Sequence, residues 1–279
     1  TLTGYGLEGP DADKPGVDVA SVWSRAGVGQ LTVPKGQDPF ALRTAFGDHT
    51  TSMAAAAGIC AALVKAQRTG QGQLVEASLL RAALFALGSD FAIQLFFGRI
   101  GSTKSRHEQI QPLMNFFKTK DESWICIVSR QGNVDWAPLC RVMDRADLIE
   151  DERFTPGKSR RAHAAELVTL MDDEFGKYTK AEIAERLDAE AIAWAPVQTL
   201  AEVAKDPQVA AAGGITQVPS ASGDGSTFAS PASPIRFPGT DDGPKGASPQ
   251  MGQHSRDVLA AIGYDDAQIE ALYDAGVVV

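Results

Sequence analysis

Residues 47–80 read GDHTTSMAAAAGICAALVKAQRTGQGQLVEASLL, and this stretch carries the strongest helix signal in the chain. Alanine has the highest helix propensity, and the polar run before the alanines is rich in helix-capping residues, so we predict a buried helix over about 49–67. The Arg-Thr-Gly at 68–70 ends this helix, because a cation suits the last turn and glycine suits the C-cap. A short strand follows, and Ser78 begins a second long apolar helix that we expect to reach about residue 97.

Asp48 is the strongest candidate for chemistry. Gly47 before it leaves one flank without a side chain, and we expect a ligand to approach there. The unpaired N–H groups at the start of the helix favour a negative charge at Asp48. A positioned carboxylate can attack an activated acyl group as a covalent nucleophile. The alternative is that Asp48 is only a helix N-cap, a role for which aspartate is favoured, with His49 as an ordinary first-turn residue.

The composition excludes several classes of protein. The 279 residues are 44% hydrophobic and 22% charged, as in ordinary globular proteins, and no window approaches the roughly 18 apolar residues of a membrane span. A net charge of −9 without a basic run predicts that nucleic acid is not a partner. The cysteines Cys60, Cys126 and Cys140 match neither a zinc pattern nor a disulfide framework, which predicts no metal site and a reducing, cytoplasmic location.

Longer strings connect Asp48 to a known family. The Gly-Asp pair ahead of the alanine-rich helix, with Arg-Thr-Gly-Gln-Gly-Gln at 68–73, resembles the central signature of the family III CoA-transferases. This family includes formyl-CoA transferases, carnitine CoA-transferases and α-methylacyl-CoA racemases. Residues 3–18, with Thr-Gly-Tyr-Gly, Gly-Pro and Pro-Gly-Val-Asp, look like its opening segment. Later landmarks are similar, in the same order, at 151–154, 195–197, 206–209 and 263–264.

The resemblance implies an α/β fold, with a Rossmann-like large domain and a small α/β domain in an interlocked homodimer. On this sequence it places a large-domain portion with the nucleophile at 1–100, the small domain at 101–212, and a linker and return segment at 213–279. Within the small domain, two apolar stretches at 113–118 and 124–128 predict a β-hairpin.

The family's N-terminal stretch, which supplies much of the Rossmann sheet and many CoA contacts, is not in this sequence. We therefore expect an incomplete large domain, whose missing part was cleaved, left unnumbered or is carried by another chain. The helices before residue 100 are apolar nearly all round, and such helices must be buried. We expect other polypeptide to cover them, either the missing segment or a partner subunit.

In this family the aspartate of the Gly-Asp pair is the nucleophile of the transferases, and it matches Asp48. The resemblance implies an acyl-CoA:carboxylate CoA-transferase that works through an aspartyl anhydride and an aspartyl-CoA thioester. An acyl-CoA and a small carboxylic acid would be its substrates, without a tightly bound cofactor. Asp18 is a candidate for a substrate contact or for support of the site, and Lys14 for a phosphate contact. Gly47 and His49 complete the expected binding set, with N–H groups near Gly47 as oxyanion donors.

Two alternatives stay open. Racemases of this family pair the aspartate with a histidine in a Pro-Gly-His-Asp segment, but Val17 occupies that position here and cannot carry a proton. The second alternative is a non-catalytic chain or a partial subunit of a split CoA-transferase.

Residues 106–111, Arg-His-Glu-Gln-Ile-Gln, lack the glycine-rich loop that closes over the nucleophile in formyl-CoA transferases. Formate or oxalate specificity is therefore not supported, and the acyl group and acceptor acid stay undetermined.

Overall fold

A parallel pair of two-residue strands, β1 (Leu2–Thr3) and β2 (Ala77–Ser78), joins the two ends of the helical N-terminal region. The computed structural model describes residues 1–40, 42–43, 45–130, 133–241 and 243–279. These residues form two units, 1–196 and 197–279. The helices between β1 and β2 in sequence are a seven-residue π-helix (Val19–Arg25), α1 (Val28–Leu31) and the 24-residue α2 (Phe46–Thr69).

The second long apolar helix is broken in two. The structure has α3 (Leu79–Ala86) and α4 (Gly88–Phe97), which are bent by 82° relative to each other. The side chain of Ser78 accepts the Arg81 N–H at 3.2 Å, so α3 begins where the sequence predicts. Glycine and serine stand together at 88–89, and sharp kinks occur at such pairs because both residues are poor helix formers. The prediction of one continuous helix is therefore wrong at its centre.

Helices α2 to α4 are largely exposed in this chain, although their composition predicts burial. A small cluster of Val22, Leu79 and Ala83 is the only apolar core that the described part of residues 1–100 contains. Large apolar side chains that remain exposed on these helices include Ile59, Leu63, Val64, Phe85, Leu95, Phe96 and Phe97. No single described helix is long and apolar enough to cross a membrane, and only the bent pair α3–α4 meets that test when counted together.

The main hydrophobic core lies in residues 113–192. Here β3 (Met114–Lys118) and β4 (Trp124–Val128) form an antiparallel hairpin, which confirms the predicted one, and β5 (Trp194–Val197) lies beside β4. The strands alternate buried and exposed residues, so one face of the sheet covers the core. The helices of this region are α5 (Trp136–Val142), α6 (Gly157–Ala162), α7 (Ala164–Phe175) and α8 (Lys180–Ala189).

The second unit contains a hairpin within the stretch that the sequence predicts as a linker. After α9 (Leu200–Val203) and α10 (Pro207–Ala211), an antiparallel hairpin is formed by β6 (Ile215–Pro219) and β7 (Thr227–Pro231). The turn is closed by Asp224, whose carboxylate accepts the Ser226 N–H at 2.8 Å and the Ser222 hydroxyl at 2.7 Å. Serine, glycine and aspartate at 220–226 therefore serve a hairpin turn. The unit ends with α11 (Ser255–Ala261) and α12 (Asp266–Asp274).

Candidate active site

Asp48 is the third residue of α2, within its first turn. The N-cap is Ala45, which has a left-handed backbone with φ of 55°, so the interpretation of Asp48 as the N-cap is wrong. The carboxylate of Asp48 is exposed, and no hydrogen bond or ion pair holds it among the described residues. The positive end of a 24-residue helix favours a negatively charged group at this position. Asp48 is therefore a carboxylate that is open to solvent in the first turn of a long helix.

The neighbouring peptide of Gly47 is held at both ends. Its N–H donates to Asp18 Oδ2 at 3.1 Å in a buried contact between positions 29 residues apart. Its carbonyl accepts the hydroxyl of Thr51 at 2.7 Å and that of Thr50 at 3.0 Å. Thr51 is fully buried, and the sequence gives no sign of its role beyond the known tendency of helical threonine to bond the carbonyl four residues earlier. These bonds fix the turn that carries Asp48.

The side of Gly47 where a side chain would stand is filled by protein. A Cβ placed on Gly47 would lie 2.5 Å from Asp18 Oδ1 and 2.7 Å from Val22 Cβ. The predicted approach of a ligand across this flank is therefore closed, and glycine is required here by close packing. The Gly47 N–H, predicted as an oxyanion donor, already donates to Asp18.

His49 and Lys14 do not join Asp48 through any hydrogen bond or ion pair within the described residues. The His49 N–H donates to the Ala45 carbonyl at 2.9 Å, and the side chain is exposed. Lys14 pairs with Asp11 at 2.7 Å, and this hydrogen bond lowers the pKa of the Asp11 carboxyl. The predicted phosphate contact of Lys14 stays a prediction. In the structure the charge of Lys14 is already paired with the Asp11 carboxylate.

Residues 103–106, which lead into the stretch 106–111, are held by hydrogen bonds at two points. The Thr103 hydroxyl donates to the carbonyl of Leu31, the last residue of α1. The Arg106 guanidinium donates to both carboxylate oxygens of Asp172 on α7 and lies 5.3 Å from the centre of the Trp124 ring. Burial raises the pKa of Asp172, against the opposing charge of Arg106. This segment therefore connects the α1 region to the small α/β core.

An open cavity of about 640 Å³ lies between α2 and α3 and begins at Thr50, two residues from Asp48. Its lining is mostly apolar and includes Met53, Val75 and Phe85, with Arg81 as its cation. No group of three or more potential metal ligands occurs within the described ranges. The first turn of α2 thus combines an exposed carboxylate, a backbone held by side-chain hydrogen bonds and an adjoining apolar cavity.

Comparison with known proteins identifies the family of this chain. The profile of CoA-transferase family III matches residues 1–255. The (R)-2-hydroxy-4-methylpentanoate CoA-transferase of Clostridioides difficile is 30% identical over 99% of this chain and 68% of its own length. The cinnamoyl-CoA:phenyllactate CoA-transferase of Clostridium sporogenes is 29% identical over 97% of this chain and 66% of its own length.

A solved structure shares the mixed α/β fold. This CaiB/BaiF family protein from Brucella suis has a TM-score of 0.79 and 23% identity, and the match covers 94% of this chain and 66% of that one. The present chain thus spans about two thirds of the length of these relatives. Because the family profile extends over residues 1–255 of 279, the chain belongs to CoA-transferase family III.

Proposed function

We propose that this protein transfers CoA from an acyl-CoA thioester to a carboxylic acid, with Asp48 as the nucleophile. The observation that carries the proposal is the exposed carboxylate of Asp48 in the first turn of α2, free of hydrogen-bond partners among the described residues. A carboxylate engaged in a structural ion pair would have to give up that partner before it could attack. Family membership supports the same reaction class.

The reaction proceeds by two exchanges at Asp48. A carboxylate oxygen of Asp48 attacks the thioester carbonyl, the C–S bond breaks, and a mixed anhydride and the CoA thiolate result. The thiolate attacks the aspartyl carbonyl, which releases the first acid as its carboxylate and leaves an aspartyl-CoA thioester. The acceptor carboxylate then attacks this thioester and expels the thiolate, and a second mixed anhydride forms. Attack of the thiolate on the acceptor carbonyl gives the new acyl-CoA and restores Asp48.

The rigid frame of Asp48 suits this sequence of steps. The carboxyl group of Asp48 takes part in all four steps: an oxygen attacks once, the carbonyl carbon is attacked twice, and the carboxylate leaves once. Its carboxyl carbon must therefore stay in one place while the substrates change. The bonds of Gly47 to Asp18 and Thr51 provide that constraint. Oxyanion donors for the tetrahedral intermediates must be groups other than the Gly47 N–H, because that group is already used.

The names of the relatives guide the choice of acids. The relatives from Clostridioides difficile and Clostridium sporogenes are named for 2-hydroxy-4-methylpentanoate and for phenyllactate. We propose small carboxylic acids of this kind as the first acceptors to test. A racemase reaction is not favoured, because Val17, at the position of the racemase histidine, has no group that moves a proton and is 54% exposed.

We further propose the interlocked homodimer with a Rossmann-like large domain that the resemblance implies. The parallel pairing of β1 with β2 supports such a sheet, and the exposed apolar residues on α2 and α4 support burial against a second copy of the chain. Light scattering on the complete protein tests this: a stable monomer would contradict it. Mass spectrometry of the same sample would detect a second polypeptide if the chain is part of a split enzyme. A cytoplasmic location and the absence of a tightly bound cofactor remain predictions.

The central experiment incubates the complete protein with a panel of acyl-CoAs and free acids, and mass spectrometry follows the transfer of CoA. A parallel sample contains one acyl-CoA and hydroxylamine, which converts an anhydride or thioester at Asp48 into a hydroxamate. We expect CoA transfer, and a modified peptide that contains Asp48. Modification of another carboxylate would refute the role of Asp48. Proton exchange next to the thioester carbonyl in deuterated water, without CoA transfer, would instead favour the racemase alternative.

A further inference from the structure

Asp18 is a buried carboxylate that faces the backbone of α2. Asp18 is 9% exposed and lies at the N-terminus of the π-helix Val19–Arg25. One oxygen accepts the Gly47 N–H at 3.1 Å, and the other lies where a side chain on Gly47 would stand. Both oxygens of Asp18 are therefore directed at Gly47, the residue immediately before Asp48.

The surroundings of Asp18 argue against a direct substrate contact. Val22, one turn along the same π-helix, packs against the other side of the Gly47 position and closes the gap between the two elements. At the opposite end of the peptide, Thr51 bonds the Gly47 carbonyl and is fully buried. A substrate would have to displace these contacts to reach the Asp18 oxygens.

We infer that Asp18 is a positioning residue, which holds the first turn of α2 and thereby fixes Asp48 for attack. The inference rests on the proposed function of Asp48 and extends it to a second carboxylate with a different task. The N-cap of α2 is Ala45, whose methyl side chain cannot accept a hydrogen bond, so Asp18 supplies from a distant segment the acceptor that a capping side chain usually provides. Its carboxylate serves as an acceptor oxygen of fixed position, and it need not exchange protons or touch the reacting atoms.

Two substitutions separate this role from its alternatives. Asp18→Asn keeps an acceptor oxygen and nearly the same shape, whereas Asp18→Ala removes the acceptor and opens space beside Gly47. We expect Asp18→Ala to lower kcat by about 10²-fold, because small displacements of a reacting group have effects of this size. We expect its KM values for acyl-CoA and acid to stay within about twofold, and Asp18→Asn to restore most of kcat.

A readout without activity measures the position of the turn itself. Amide hydrogen exchange of the peptide over 45–53 should accelerate in Asp18→Ala and stay near the wild-type rate in Asp18→Asn. A matched control is Thr179→Ala, which removes a capping oxygen from α8, where Thr179 accepts the Glu182 N–H at 3.3 Å. That variant should lose a similar amount of thermal stability, yet leave kcat and the exchange of residues 45–53 unchanged.

The possible outcomes are distinct. An Asp18→Asn variant as inactive as Asp18→Ala would show that the charge is needed and would overturn the positioning role. A rise in KM for one substrate at constant kcat would mark Asp18 as a substrate contact and would overturn it as well. Suppose that amide hydrogen exchange at 45–53 is faster in Asp18→Ala while CoA transfer is unchanged. Asp18 would then hold the turn as described, but the position of the turn would not matter for catalysis at Asp48. That last result separates failure of the proposed function from failure of the Asp18 contact.

Discussion

Replacement of Asp48 by asparagine separates its chemical role from its structural one. Asp48→Asn keeps the shape of the side chain and removes its charge and its ability to form an anhydride. In the structure the carboxylate is exposed, is not the N-cap and has no hydrogen-bond partner among the described residues. The interaction that the substitution removes is therefore the attraction between one negative charge and the N-terminus of α2, which amounts to about 0.3–1 kcal/mol at an exposed site.

This free energy fixes the expected melting behaviour. A loss of about 1 kcal/mol lowers Tm by about 2–4 °C in a protein of roughly this size, so the variant should melt no more than about 4 °C below wild type. Its CoA-transfer activity should be abolished, because an amide cannot take part in the exchange of acyl groups. Thermal melting and the transfer assay on the same preparation measure the two effects separately.

The matched control is Asp90→Asn. Asp90 is the third residue of α4, as Asp48 is of α2, and it is likewise exposed. Both substitutions remove the same charge–helix interaction, so the two variants should melt alike, while only Asp48→Asn should be inactive. Near-normal transfer by Asp48→Asn would refute the nucleophile, and a much larger loss of stability than in Asp90→Asn would refute the description of Asp48 as an unconstrained side chain.

Three further substitutions or treatments test the surroundings. Gly47→Ala should lower stability by about 1–3 kcal/mol in urea denaturation, because its Cβ would overlap Val22. Burial opposes ionisation of Asp135, but the hydrogen bonds and charge of Arg130 outweigh this effect and lower the Asp135 pKa. The wild-type protein should therefore be more stable than Asp135→Asn above about pH 4, and urea titrations should show this difference fade at lower pH. Burial raises the pKa of Cys140 to about 12, so iodoacetamide at about pH 8 should label it only after denaturation.

The sequence predicts best the parts of the fold that depend on local patterns. The hairpin at 114–118 and 124–128 follows from two apolar stretches separated by a short polar turn, and that local pattern was sufficient. The sequence does not predict the break between α3 and α4, because its apolar composition outweighs the Gly-Ser pair at 88–89. The hairpin of β6 and β7 was missed for the opposite reason, since its turn residues made the whole stretch look like a linker.

The exposure of α2 and α4 shows what composition alone cannot determine. An apolar helix must be covered, but the covering atoms need not belong to the described residues. Within this chain Leu63 and Phe96 are exposed. The apolar pattern of these helices therefore predicts that another surface covers them, but it does not say which protein carries that surface.

For the proposed site, the sequence predicts Asp48 as the nucleophile but gives the wrong reason for the glycine before it. A glycine beside a candidate nucleophile is compatible with an open flank and with a filled one, because both require the absence of a side chain. The choice depends on Asp18 and Val22, which reach Gly47 from 29 and 25 positions earlier in the chain. No local pattern encodes that contact. It arises where the π-helix crosses the start of α2, and it makes Gly47 part of the frame of the site, with Asp48 as the group that the frame presents.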